Sequence, residues 1–145
     1  MENKSEKIIC SSYKSSSCSL KSIRDDFKHF LNVNDIGDVN AGYIIIAVNE
    51  ICMNIIQHAD GGHYHGNIYI EAEITNDLLT ITIEDEAGRV DINNLKGRDI
   101  DKLEPGGLGL HLVNDVMDTV IYSDNKINPG NSLTMTKKIE NHDEV

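Results

Sequence analysis

The chain has no tryptophan and only two phenylalanines, so a core must be built from isoleucine, leucine and valine rather than from large rings. Its three cysteines, Cys10, Cys18 and Cys52, are odd in number and widely spaced. That argues against a disulfide framework and against a Cys-x-x-Cys metal knuckle, and leaves reduced thiols with at least one in the core. Cations are scarce: 13 Lys and Arg stand against 24 Asp and Glu, a formal net charge of −11. Such a surface repels a phosphate backbone, which argues against nucleic-acid binding and allows a basic protein partner. No stretch approaches the ~18 consecutive apolar residues of a membrane span, and Met1 to Lys7 is polar with no apolar signal core behind it. A cytoplasmic protein is expected. Repeats, low-complexity tracts and Pro/Gly/Ser-rich linkers are also missing, so residues 1–145 should form a single domain around one core.

What is present is periodic. Residues 7–13 read as a strand, and Leu20, Ile23, Phe27, Phe30 and Leu31 space an amphipathic helix over Ser19 to Leu31, ended by a turn from Asn32 to Gly37. A second helix runs from Val39 to Ala59 and, with Ile44 to Ala47 apolar all round, should be the most buried. His58 to Gly62 closes it with glycines suited to left-handed backbone. Residues 67–74 and 78–84 alternate as two strands of a hairpin about Asn76 and Asp77. Some twenty residues, Glu86 to Pro105, then lack any sustained period, and a loop of that length in a compact domain reads as a lid. A helix opens at Gly106, with strands at 119–122 and 132–139. Strands and helices segregate, which predicts an α+β, two-layer α/β sandwich.

Three constellations could carry chemistry. Glu50, Asn54 and His58 follow at steps of four, so they share one stripe of the second helix, and a carboxylate with an amide oxygen one turn away could hold Mg²⁺. Alone, the stripe reads first as the solvated face of an amphipathic helix. Asp85 closes an apolar strand where the backbone must turn, as an acceptor for an exocyclic amine would, or as an ordinary turn aspartate. Gly106, Gly107 and Gly109, with Leu108 and Leu110, open a helix whose unpaired N–H groups and dipole favour phosphate; a close-packed helix-opening turn is the other reading. No G-x-x-x-x-G-K-[ST] occurs, so this is no Walker-type loop. His58, His63, His65 and Asp60 crowd one region without regular metal-ligand spacing, in a loop exposed by composition. Cys52 falls on the apolar side of its helix, a core position rather than a nucleophile.

In order, a metal-holding stripe, an adenine acceptor, a lid and a phosphate cradle resemble the Bergerat nucleotide-binding fold over nearly the whole chain. Ala47 to Ala59 resembles the N-box E-x-x-x-N-x-x-x-H, Asp85 stands where the first glycine box begins, and Gly106 to Asp118 is similar to the second glycine box and helix of the anti-sigma-factor serine/threonine kinases of the GHKL superfamily. Gly130-Asn131-Ser132-Leu133 resembles their closing strand motif. The resemblance implies a mixed, mostly antiparallel sheet with helices on one face, and a kinase using Mg-ATP. Glu50 would be the general base, and Asn54 the Mg²⁺ ligand. His58, Asp85, Ala87, Gly88, Asn131 and Ser132 would line the nucleotide with the residues from Gly106 to Leu110. Lys102 or Arg98 of the lid would reach the γ-phosphate. It implies a STAS-type antagonist as substrate, a sigma factor as second partner, and a homodimer. Two departures stand out. Ala87 puts a methyl group where backbone normally lies close to the base, with Gly88 as compensation. Asn131 replaces the commoner Thr, with the Ser132 hydroxyl beside it. The alternative implied by Ala87 is a nucleotide-gated module that sequesters a partner and transfers nothing.

Overall fold

The computed structural model describes residues 8–88, 106–124 and 130–139. Strand β1 (Ile8–Lys14) leads to helices α1 (Ser19–Val33) and α2 (Asp38–His58), then to the hairpin β2 (Asn67–Thr75) and β3 (Leu78–Asp85). Helix α3 (Gly106–Val116) and strands β4 (Thr119–Asp124) and β5 (Asn131–Lys138) complete the described chain. These bounds fall within one or two residues of the sequence periods. The strands form one sheet in the order β1-β2-β3-β5-β4. All four pairings are antiparallel, where a mixed sheet was expected. β4 does run in the direction of β3 after the α3 crossover, but β5 lies between them, so no parallel pair forms among the described residues.

Because strand side chains alternate, one sheet face is apolar and the other polar. In β3 the inward row is Leu79, Ile81, Ile83 and Asp85, and in β2 it is Ile68, Ile70, Ala72 and Ile74. These pack with Ile23, Phe27, Phe30 and Leu31 of α1, with Ile44, Ala47, Val48, Ile51 and Cys52 of α2, and with Val113 and Val116 of α3. The core is thus mostly aliphatic, with an edge-to-face pair at Phe27–Phe30, as the shortage of aromatics required. Cys52 is fully buried and burial pushes its thiol up to about 12, which leaves it an inert core group.

Two local stops set the site. Helix α1 ends in a Schellman motif: Ile36 N–H donates to the Leu31 carbonyl and Asp35 N–H to that of Asn32, with Asp35 at φ 62° in the place a glycine usually takes. Helix α2 ends in a 3-10 turn, Ala59–Gly62, in which Asp60, Gly61 and Gly62 all have positive φ. Asn76 and Asp77 also lie at positive φ, as a two-residue hairpin demands.

Helix α2 departs from expectation in two ways. It is not buried all round: Ile46 is 43% exposed, Tyr43 50% and Val39 72%. Spaced by four and three, these residues form an apolar stripe facing outward. Together with the turn after it, Asp38–Gly62 is also long and apolar enough to cross a membrane by length and composition, with an 18-residue window of mean hydropathy 1.5 inside it. Asn40, Asn49, Glu50 and Asn54 interrupt the apolar run without lowering the average below that mark, and the row from Ile44 to Cys52 packs in the protein core.

Candidate functional site

The inward row of β3 ends in a carboxylate. Asp85 is 4% exposed, and the same alternation that buries Ile81 and Ile83 directs it to the helix side of the sheet. Its Oδ1 accepts from the Ala87 N–H at 2.9 Å and from Nδ2 of Asn131, the residue opposite it on β5, also at 2.9 Å. Burial raises the Asp85 carboxyl above its usual 3.8, the Asn131 amide and the Ala87 N–H pull it back, and the Asp60 charge raises it further. Asn131 also donates to the Gly88 carbonyl at 3.0 Å, so one amide ties both ends of the loop after β3. Ser132 does not reach the carboxylate: it pairs with Glu84, one step along, and its side chain lies on the opposite face of the sheet from Asp85. The expectation that its hydroxyl serves the base is corrected by this parity.

Gly130 is the residue on which the closing motif turns. A Cβ there would come 2.2 Å from the Asp85 carbonyl oxygen, so only glycine lets β5 start against the end of β3. Ala87 is 1% exposed, with its methyl group enclosed by protein rather than standing in an open cleft. Gly88 is fixed from two sides, by Asn131 and by its own N–H donating to Asp60 Oδ1 at 2.8 Å.

Glu50 and Asn54 lie half-buried one turn apart on α2, and His58 is exposed at its last residue. Neighbouring Asn49 accepts from Arg24 of α1 at 3.1 Å, which braces the middle of α2. Gly106, Gly107, Leu108, Gly109 and Leu110 form the start of α3, so the glycine cluster does open a helix. Arg98, Lys102 and the expected lid beyond Gly88 lie outside the described residues. The donor chemistry suits a Mg-nucleotide: a single amide oxygen from the protein leaves room for phosphate oxygens and waters around a hard ion, and a buried acceptor at a strand end suits an exocyclic amine.

Sequence reasoning missed Tyr64 and Asp60. The loop from Gly61 to Gly66 was read as exposed, yet Tyr64 is buried, while His63 and His65 stay exposed. Its hydroxyl donates to the Asn67 carbonyl at 2.7 Å and accepts from the Glu86 N–H at 2.9 Å. The available signal was a single large ring set among glycines and histidines.

The model of the histidine kinase-like ATPase domain matches residues 14–137, and the chain belongs to that family. Among named relatives, the serine-protein kinase RsbW of Listeria innocua is 35% identical over 103 residues, covering 65% of this chain and 63% of the relative. The RsbW of Bacillus licheniformis is 34% identical over 100 residues, 63% of this chain and 61% of its own length. The chain thus spans about three-fifths of the length of the curated relatives it matches. Two solved structures share the fold. One holds the RsbU and RsbW domains of a Mycobacterium tuberculosis protein, with TM-score 0.67 and 12% identity over 91% of this chain and 32% of that one. The other is the Acinetobacter baumannii histidine kinase AdeS, with TM-score 0.52 and 15% identity over 90% of this chain and 68% of that one.

Two outcomes follow from this geometry. Ala87→Gly removes a buried methyl group and frees the backbone, so it should cost about 1 kcal/mol of stability and leave ADP affinity unchanged or weaker; tighter ADP binding by calorimetry would show the methyl crowding the base after all. Since the folded Asp85 carboxyl sits above its usual 3.8, its ionisation opposes folding. That cost is absent below 3.8, grows as pH rises through the folded pKa and is constant above it. Asp85→Asn should therefore gain on wild type in urea unfolding as pH rises through this window, and a difference independent of pH would contradict the shift.

Proposed function

We propose that this chain is an ATP-dependent protein serine/threonine kinase of the anti-sigma regulatory type, acting in the cytoplasm on a small STAS-type antagonist, with a sigma factor as its second partner. The observation that carries the reading is the Asp85 carboxylate, buried at the end of the central strand and oriented through Oδ1 by the protein's own donors. Oδ2 is the oxygen we assign to the adenine amine. The names of the RsbW relatives support the kinase chemistry.

In this reading Glu50 takes the proton of the substrate hydroxyl as its oxygen bonds to the γ-phosphorus, and the bond from that phosphorus to the β-phosphate bridging oxygen breaks to leave ADP. Asn54 would hold Mg²⁺, whose charge offsets that of the phosphates. The backbone from Gly106 to Gly109 would hold the phosphates at the head of α3. Much of the rate would come from positioning and charge neutralisation. The outward stripe of α2 supports a protein substrate. Ile46, Tyr43 and Val39 share a face with Glu50 and lie about 6 to 16 Å from it along the helix, whereas an interface of ~800 Å² per partner reaches about 16 Å from its centre. A phosphate added to the partner would bring about −1.5 to −2 charges against a protein of net charge −11 and release it. A homodimer belongs to the same reading. The sequestering alternative leaned on Ala87, whose methyl group is buried.

Mg-ADP at ~100 times its dissociation constant should stabilise the fold by about 2.7 kcal/mol, a rise of several degrees in Tm, and no rise at millimolar nucleotide would sink the nucleotide claim. Loss of the general base should separate binding from chemistry. Glu50→Gln should lower transfer of labelled γ-phosphate to the partner by ~10²–10⁴ and leave ADP affinity nearly unchanged, while Asn54→Ala should weaken both. Equal partner release by wild type and Glu50→Gln with Mg-ATP, with no phosphate on the partner, would leave the sequestering module standing.

A further inference from the structure

Three successive N–H groups in the loop that leaves β3 each donate to a side-chain oxygen. Glu86 donates to Tyr64 Oη at 2.9 Å, Ala87 to Asp85 Oδ1 at 2.9 Å and Gly88 to Asp60 Oδ1 at 2.8 Å. The outer two acceptors come from the connection between α2 and β2, which lies outside every motif that marks the site. We propose that Tyr64, seconded by Asp60, is a positioning residue for the nucleotide site, fixing the loop whose middle N–H aims the Asp85 carboxylate at the base. The inference rests on the nucleotide reading above.

The coupling is short and mechanical. Tyr64 Oη donates to the carbonyl of Asn67, the first residue of β2, and accepts from Glu86, so one hydroxyl rivets the loop to the start of the neighbouring strand. In the register, Ile68 of β2 faces Asp85 itself. Gly66 makes the rivet possible, because a Cβ there would stand 2.6 Å from that hydroxyl. On the far side Asp60, at φ 52°, presents its carboxylate to Gly88 from the end of α2. Ala87 is held between two fixed neighbours, and its N–H can point only where they allow. Releasing either neighbour loosens that N–H and leaves Asn131 as the remaining hold on the carboxylate. The ring of Tyr64 fills space, which phenylalanine would also do; its part in the aiming comes from the hydroxyl.

The test compares a ligand with a base and one without. Wild type, Tyr64→Phe, Asp60→Gly and Asp60→Asn are titrated by calorimetry with ADP and with inorganic pyrophosphate, each with Mg²⁺. Loss of these half-buried hydrogen bonds predicts that Tyr64→Phe lowers ADP affinity roughly five- to thirty-fold while pyrophosphate affinity is unchanged. Asp60→Gly, which tolerates the positive φ but removes the acceptor, should move in the same direction. Asp60→Asn keeps an acceptor oxygen and a residue at home in left-handed backbone, and should behave as wild type. Because Asp60 is exposed, its pair of variants carries the test even where Tyr64→Phe fails to fold. Unchanged ADP affinity in Tyr64→Phe and Asp60→Gly, or equal losses for ADP and pyrophosphate, would overturn the positioning role and leave the nucleotide reading intact. A wild type that binds no ADP would overturn both.

Discussion

A carboxylate at the fourth inward position of a central strand is the constraint around which the site is arranged. Leu79, Ile81 and Ile83 are buried because the sheet must cover its apolar face, and strict alternation then carries Asp85 into the same layer. A charge placed there by geometry must be satisfied by geometry. The amide of Asn131 and the N–H of Ala87 are the local response, because a carboxylate oxygen is buried at great cost without donors.

That response extends beyond the motifs. Past Asp85 the described residues Glu86 to Gly88 leave the ladder, so their N–H groups find side chains, and two of these belong to a connection with no recognisable pattern. The end of α2 is thereby tied to the end of β3 through Asp60, and the start of β2 through Tyr64. A single rigid corner results, at which helix, hairpin and closing strand meet.

Helix α2 serves two surfaces. Its row from Ile44 to Cys52 packs on the sheet, while Val39, Tyr43 and Ile46 face outward along the stripe that reaches Glu50. An apolar run that hydropathy alone treats as uniformly buried is in fact divided between a core face and an exposed face. The sum over a window cannot see that division, which depends on where the neighbouring elements stop.

Much was legible without coordinates because it is local. Period and turn chemistry placed every described helix and strand to within one or two residues, and the steps of four put Glu50 and Asn54 on one stripe. Parity within a strand is also local, yet its consequence is not: the sequence put Ser132 beside Asn131, and only the register of β5 against β3 decides which of them faces Asp85. Tyr64 is the sharper case. Its loop has the composition of solvent-exposed chain, and the one local partner of its hydroxyl, the Asn67 carbonyl, leaves no mark in the sequence pattern. Its other partner is Glu86, 22 residues away, brought alongside by the β2–β3 hairpin. Sequence alone determined the elements, because helix and strand periods and turns are set by neighbours along the chain. Which side chains meet was decided by the tertiary fold, because pairing register and packing join residues that the chain itself keeps apart.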